Sequence, residues 1–334
     1  MKVLRENDFK AFEQIVKLSQ PALKYSLSTY LRSKYQNIIE TDDYLLAEGN
    51  IPIALVAHMD TVFPKQPEDV FYDTRKNVIW SPQGLGADDR AGVFAILQII
   101  KSGLRPHVIF TTDEEMGCVG ASVLAEEKCP FKDLRYIIEL DRRGSNDCVF
   151  YDCDNANFEE YVEKFGFITA WGSFSDISMI CPSWKIAGVN LSVGYRDEHS
   201  ISEILNVGPL LATIEKVKIM LTETEIPPFE YIETPYARYL HPLLKSYYGA
   251  DAYDETERCY KCHKAYMEEE LYPVRVGDTL KYVCPSCIGE GISWCDKCFE
   301  AYDASGDTAP YSLCPKCRKE EAKGVKKTNE PKKL

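Results

Sequence analysis

The sequence predicts an α/β fold: a three-layer sandwich with a mixed central sheet, plus a small zinc-binding module toward the C-terminal end. Three observations predict it. Near-continuous apolar runs of strand length recur at residues 51–57, 108–112, 136–140 and 189–193, the pattern of strands covered on both faces. A helix-patterned segment, 89–101, lies between the first two runs. Cysteine usage divides the chain: of 13 cysteines, Cys118, Cys129, Cys148, Cys153 and Cys181 share no spacing, whereas the other eight form four CxxC pairs between Cys259 and Cys317.

A chain of 334 residues is long enough for two domains. The expected division is a catalytic domain over 1–224, a connector over 225–255, a double zinc-binding module over 256–318 and a basic flexible tail over 319–334. The opening MKVLRENDFKAFEQIVKL is charged and helix-patterned, without the apolar core of a signal peptide. No transmembrane stretch is legible. Paired CxxC motifs without an export signal read as metal ligands rather than disulfides, which points to the cytoplasm. A net charge of −13 disfavours phosphate backbones and anionic lipid, so neither a nucleic-acid nor a membrane partner is expected.

The helix at 89–101 has acids at its start, Lys101 in its last turn and Gly103 just beyond, with Val93, Ile96, Leu97 and Ile100 on one face. After about residue 223, prolines, tyrosines and acids replace strand patterning, and one short helix is expected near 240–248. Residues 271–277 and 279–283 read as a hairpin between the first two CxxC pairs.

Five segments at strand ends or helix starts carry candidate chemistry. His58 and Asp60 lie two apart, so they share one side of an extended chain, and Asp60 can fix the tautomer of a metal-binding His58. Asp88 and Asp89 open the helix, where one of them can bridge cations or simply cap the N-terminus. Glu114 and Glu115 are adjacent carboxylates that repel each other in a dry place without a cation; one can ligate metal while the other serves as a base. Glu139 and Asp141 follow the next apolar run and face the same side, and His199 follows the last. Asp176 lies in a Gly/Ser-rich loop and reads as a turn-stabilising residue. Carboxylates with neutral imidazoles suit zinc, and also cobalt or manganese; a bridging carboxylate would hold two ions about 3.5 Å apart.

The segments HMDTV, GLGADDRAG, TTDEEMG, ELD and GVNLSVGYRDEHSISE, in that order over residues 45–210, resemble the motifs of the two-zinc exopeptidase superfamily that includes peptidase T, carboxypeptidase G, acetylornithine deacetylase and the zinc aminopeptidases. The resemblance implies that His58 and Asp141 bind one zinc, Glu115 and His199 the other, and Asp88 bridges them. It implies Glu114 as general base, Asp60 as the group that orients His58, and a hydroxide bridging the two ions as the nucleophile. The interval from Asp141 to His199 is too short for the lid domain that peptidase T inserts there.

Cys259, Cys262, Cys284 and Cys287, followed by Cys295, Cys298, Cys314 and Cys317, predict two further structural zinc ions, paired either in sequence or as a cross-brace. Acids outnumber bases across this region, favouring a protein partner or a cover over the substrate side. The leading functional expectation is a metal-dependent hydrolase of small peptides or amides, acting as an aminopeptidase or dipeptidase. An N-acyl amino acid deacylase is the alternative within that class. A binding or regulatory protein whose zinc module sits on a hydrolase-fold scaffold is the alternative outside it.

Overall fold

The computed structural model describes residues 3–172 and 174–233 and, further along, 256–262, 265–267, 271–276, 279–284, 287, 292–295, 301–304 and 313–319. The chain divides into two compact units, Met1–Arg238 and Tyr239–Leu334. The helix expected near 240–248, Cys298 and residues 320–334 lie outside the described residues.

The first unit opens with α1 (Glu6–Val16) and α2 (Gln20–Arg32), then β1 (Asn37–Glu40), β2 (Tyr44–Glu48) and β3 (Ile51–His58). Two short strands, β4 (Phe71–Asp73) and β5 (Val78–Trp80), lead to α3 (Ala87–Lys101). There follow β6 (Pro106–Thr111), α4 (Val119–Glu126), β7 (Tyr136–Arg142), β8 (Asp147–Val149), α5 (Ala156–Glu163) and β9 (Ile168–Thr169). The unit ends with α6 (Asp176–Trp184), β10 (Gly188–Ser192), β11 (Tyr195–Arg196), β12 (Ile204–Asn206) and α7 (Val207–Leu221).

All four apolar runs form strands of one eight-stranded sheet, ordered β1-β2-β6-β3-β7-β10-β8-β9. Its centre, β6-β3-β7-β10, is parallel throughout; β1 with β2, β2 with β6 and β8 with β10 pair antiparallel, so the sheet is mixed. Alternation along β3 explains the three layers. Ile53, Leu55 and Ala57 join one core with residues of α1, α3 and α7, while Ala54 and Val56 join a second core with residues of α4 and α6. Period-two alternation with apolar residues on both sides forces a helix layer onto each face. Full burial of a side chain such as Leu55 contributes about 1.5–3 kcal/mol. A separate antiparallel sheet, β11-β12-β5-β4, adjoins the start of α3.

Helix α3 packs directly on the sheet, and Gly92 is what permits the approach. A Cβ there would lie 2.1 Å from the Leu140 carbonyl oxygen of β7 and 2.3 Å from an Asp89 oxygen. A backbone atom on one side and a buried carboxylate on the other leave no soft neighbour to yield.

In the second unit, β13 (Thr256–Arg258) pairs with β14 (Ala265–Met267), and β15 (Tyr272–Val276) pairs antiparallel with β16 (Thr279–Val283) as the hairpin pattern predicts. With β17 (Ile292–Trp294) and β18 (Ala301–Asp303) the latter form a sheet ordered β16-β15-β18-β17. Its small cores are built around cysteines: Cys259 and Cys284 with Leu271, Val274 and Val283, and Cys295, Cys314 and Cys317 with Tyr302. No helix among the described residues is long and apolar enough to cross a membrane.

Replacing Gly92 by Ala is expected to destabilise the larger unit by on the order of 2 kcal/mol, as overpacking does. Chemical denaturation followed by far-ultraviolet circular dichroism checks this, and an unchanged midpoint would contradict the packing described.

Candidate metal centre

The parallel centre of the sheet brings the C-terminal ends of β6, β3, β7 and β10 to one edge, where residues that follow different strands meet. His58 is the last residue of β3, Asp141 lies near the end of β7, and Glu114 and Glu115 follow β6. His199 follows β11, and Asp88 sits in the first turn of α3.

Asp88 stands at the middle. One oxygen, Oδ1, is 3.2 Å from Nε2 of His58, and the other, Oδ2, is 3.3 Å from Nε2 of His199. On the first side Asp141 Oδ1 is 3.5 Å from the same His58 nitrogen; on the second, Glu115 Oε2 is 3.0 Å from His199 Nε2. Two donor groups result, His58 with Asp88 and Asp141, and Asp88 with Glu115 and His199, each within a sphere fit for one cation. They differ in depth: the His58 side chain is 1% exposed and that of His199 54%.

The structure separates residues that residue type alone leaves equivalent. Asp89 accepts the Gly92 N–H at 2.8 Å and so caps α3, which leaves Asp88 to face the histidines. Glu115 joins a donor group; Glu114 belongs to neither, with Oε2 3.9 Å from His58 Nε2 and Oε1 3.6 Å from the Cys118 sulfur, whose S–H donates to it. Asp141, not Glu139, meets His58 and Asp88. Glu139 is 1% exposed and keeps one oxygen without a hydrogen-bond partner.

Asp60 lies beneath the centre. Its Oδ1 is 3.1 Å from His58 Nδ1. A carboxylate only accepts, so the imidazole donates through Nδ1 and turns Nε2 toward Asp88 and Asp141. The same carboxylate accepts the backbone N–H groups of Glu114 and Glu115 at 3.1 and 3.0 Å, tying the turn after β6 to the histidine. Asp176, in the first turn of α6, is wholly buried and accepts the Thr111 hydroxyl, a position closed to substrate.

Several supporting residues escaped the sequence reading. Asp141 accepts the Tyr195 hydroxyl on Oδ1 and the Ser175 hydroxyl on Oδ2, each at 3.0 Å. The Asn190 side chain pairs with the Asp141 backbone, accepting its N–H at 3.0 Å and donating to its carbonyl at 2.9 Å. Glu203 accepts the backbone N–H groups of Gly86 and Asp88. Tyr195 and Glu203 lie in the same GVNLSVGYRDEHSISE segment as His199, so the signal was present but gave no hint of which partner each would find.

Electrostatics show what the centre lacks without cations. Burial, with Asp88 adding to it, pushes the Asp141 carboxyl up to about 7. Burial likewise pushes Glu114 up to about 9, His58 opposing and Asp141 reinforcing. His199 is raised to about 11 by its contacts with Asp88 and Glu115. Burial lowers the affinity of His58 for a proton, but Asp141, Asp60 and Asp88 outweigh it and hold its pKa well above the ordinary value. Protons thus stand in for the positive charge this carboxylate cluster demands. A buried Oε1 of Glu115 also lacks a hydrogen-bond partner. Oxygen and imidazole donors with an orphaned carboxylate oxygen fit hard or borderline divalent ions such as zinc.

The second unit carries sulfur sites. Cys259, Cys262, Cys284 and Cys287 cluster together, as do Cys295, Cys314 and Cys317, which is sequential pairing rather than a cross-brace. The Cys262 and Cys284 sulfurs are 3.8 Å apart, and the Cys284 N–H donates to the Cys259 sulfur at 3.3 Å, as expected of thiolates held for a metal. Among the scattered cysteines, Cys118, Cys148, Cys153 and Cys181 are buried and Cys129 is half-buried.

The pKa directions give a signed prediction. Asp141 and Glu114 lie above the ordinary carboxylate value of about 4, and both histidines above the ordinary imidazole value of about 6.5. The metal-free folded chain therefore binds more protons than the unfolded chain, and this stabilisation is lost progressively as pH rises from about 4 to about 11. Chelator-treated protein is expected to melt at lower temperature at pH 9 than at pH 6, and added zinc to narrow the gap by replacing the protons. A gap unaffected by zinc would contradict this reading.

Comparison with known proteins places the architecture. The model of peptidase family M28 matches residues 44–166. Solved structures share the fold: aminopeptidase PepT from Bacillus cereus, with a TM-score of 0.53 at 16% identity over 65% of this chain and 97% of that one; a tripeptidase from Staphylococcus aureus, 0.53 at 15% over 66% and 100%; and a TET aminopeptidase from a marine sediment archaeon of the Thaumarchaeota, 0.50 at 13% over 66% and 98%. No curated protein matches. The chain carries a fold of the two-zinc exopeptidase kind, joined to a separate cysteine-rich C-terminal module.

Proposed function

We propose that this chain is a two-metal hydrolase that cleaves peptide or amide bonds of small substrates, in the manner of an aminopeptidase or dipeptidase. The observation that carries the reading is the division of labour among adjacent carboxylates. Asp88 is shared by both donor groups, Glu115 belongs to one, and Glu114 stands beside the His58 group without belonging to either. A purely structural metal site needs no such free carboxylate at its margin. The activities in the names of the similar structures, aminopeptidase and tripeptidase, agree with the reading.

His58 and Asp141 would hold one ion, Glu115 and His199 the other, with Asp88 between them. When bound, two zinc ions lower the pKa of a water toward about 7 and polarise the scissile carbonyl; cobalt and manganese suit the same donors. Glu114 takes a proton from the attacking water and delivers it to the leaving amine. The Cys118 thiol steadies the other oxygen of Glu114. Asp60 keeps Nε2 of His58 aimed at the centre. Tyr195 and Ser175 occupy the remaining sides of the Asp141 carboxylate, so that it keeps one orientation. Substrate approaches from the exposed His199 side, since His58 is sealed. The cysteine clusters would hold two further zinc ions that fold the second unit, and that module is the natural surface for a protein partner.

A scaffold that only presents the zinc module would gain nothing from a buried cluster of carboxylates that repel one another without metal. An N-acyl amino acid deacylase would use the same machinery and is distinguished by its substrates. Glu114→Gln is expected to keep about four zinc ions per chain and to lose turnover by about a hundredfold or more. Elemental analysis with a panel of dipeptides, tripeptides and N-acyl amino acids checks this. Full activity in the variant would sink the assignment of the base, and hydrolysis of N-acyl amino acids alone would move the function to deacylation.

A further inference from the structure

Glu203 follows His199 by four residues and is 1% exposed. Its oxygens do not serve its own segment. Oε2 accepts the N–H of Gly86 at 2.6 Å and Oε1 that of Asp88 at 2.9 Å. These donors are free because they open α3, where the first N–H groups have no partner within the helix and the dipole favours negative charge. Gly86 adopts φ +65°, and an added Cβ would press within 3.1 Å of the Thr61 side chain, so the turn that presents its N–H is built for glycine. Capping a helix end would be a complete account if the second donor were an arbitrary residue. It is Asp88, the carboxylate that faces both histidines.

Glu203 also closes the turn after His199, its backbone N–H donating to the Ser200 carbonyl at 3.0 Å. A ring of contacts results. It runs from the Asp88 side chain to His199, through the short turn to Glu203, and back to the Asp88 backbone. Among the described residues, nothing else ties the β5–α3 turn to the segment carrying His199 by two hydrogen bonds to one buried carboxylate.

We propose that Glu203 is a positioning residue of the metal centre: it fixes the Asp88 backbone from the segment that carries His199, and thereby sets the affinity of the site shared by Asp88, Glu115 and His199. The proposal rests on the two-metal reading above. Glu203 touches neither substrate nor the donor atoms themselves, so its effect is exerted through the distance between Asp88 Oδ2 and His199 Nε2. Groups that orient metal ligands change affinity by about 10- to 100-fold when removed.

The test uses the full chain, stripped with chelator and titrated with zinc, as wild type, Glu203→Ala and Glu203→Gln. The Gln variant keeps the volume and one acceptor but turns an N–H toward a donor, so it loses the ring without opening a cavity. Folding is checked by circular dichroism. One zinc equivalent outside the cysteine clusters is expected to bind about 10- to 100-fold more weakly in both variants. At limiting zinc kcat falls while KM changes little, and excess zinc restores turnover. A folded Glu203→Gln chain that binds every equivalent as tightly as wild type would overturn the proposal, whether or not activity is lost, because a role in fold stability alone leaves metal affinity unmoved. Wild type that binds zinc only at the cysteine clusters would overturn it together with the two-metal reading, and that result is visible before any variant is compared.

Discussion

Like-charge repulsion at one edge of the sheet is the constraint around which the rest of the larger unit is arranged. Asp88, Glu114, Glu115 and Asp141, themselves mostly buried, converge on two imidazoles, one sealed and one half-exposed. Charges so placed are tolerable only with protons or cations between them. Every supporting contact serves to keep the carboxylates from relaxing apart: Asp60 holds the turn after β6 through two backbone N–H groups, Ser175 and Tyr195 hold Asp141, and Glu203 holds the backbone of Asp88. None of these restraints is local in sequence. They join segments more than thirty residues apart, which only the finished sheet can align.

That arrangement explains why the parallel centre of the sheet matters more than its edges. Parallel neighbours put four C-terminal strand ends on one side, whereas an antiparallel centre would have sent every second ligand to the opposite edge. Close packing of α3 on β7 through Gly92 then sets the height of Asp88 above Asp141. A helix held further away would leave the Asp88 carboxylate out of reach of one histidine or the other.

Much of this is legible in the amino-acid sequence alone. The four buried strands and α3 follow from apolar runs and from start and stop signals, because burial on both faces leaves no alternation to misread. His58, Asp88, Glu115, Asp141 and His199 stood out since carboxylates and histidines at strand ends have few other reasons to gather. What residue type alone left open, and only the resemblance assigned, was which of two neighbours does what. Asp88 and Asp89, Glu114 and Glu115, Glu139 and Asp141 are pairs whose members differ in orientation rather than in chemistry, and orientation is decided by tertiary contacts such as the approach of His58 to Asp88 and Asp141. Ser175, Tyr195, Asn190 and Glu203 were not singled out as supports because a hydrogen bond to a distant backbone or carboxylate leaves no pattern in the segment that supplies it.

The chain combines two kinds of metal chemistry that need opposite surroundings. The cysteine clusters supply soft thiolates, and they lie in cores so small that metals would carry much of the folding energy. The carboxylate and histidine groups sit on a fold that needs no metal to form its core, so binding energy there can go into holding a strained charge cluster ready. Within that cluster the depth gradient from His58 to His199 assigns separate duties. On the proposed two-metal reading, the sealed side would retain its ion while substrate exchanges, and the open side would admit a carbonyl oxygen without displacing protein. Because Asp88 faces both histidines, the start of α3 is the point where fold and chemistry are most tightly coupled.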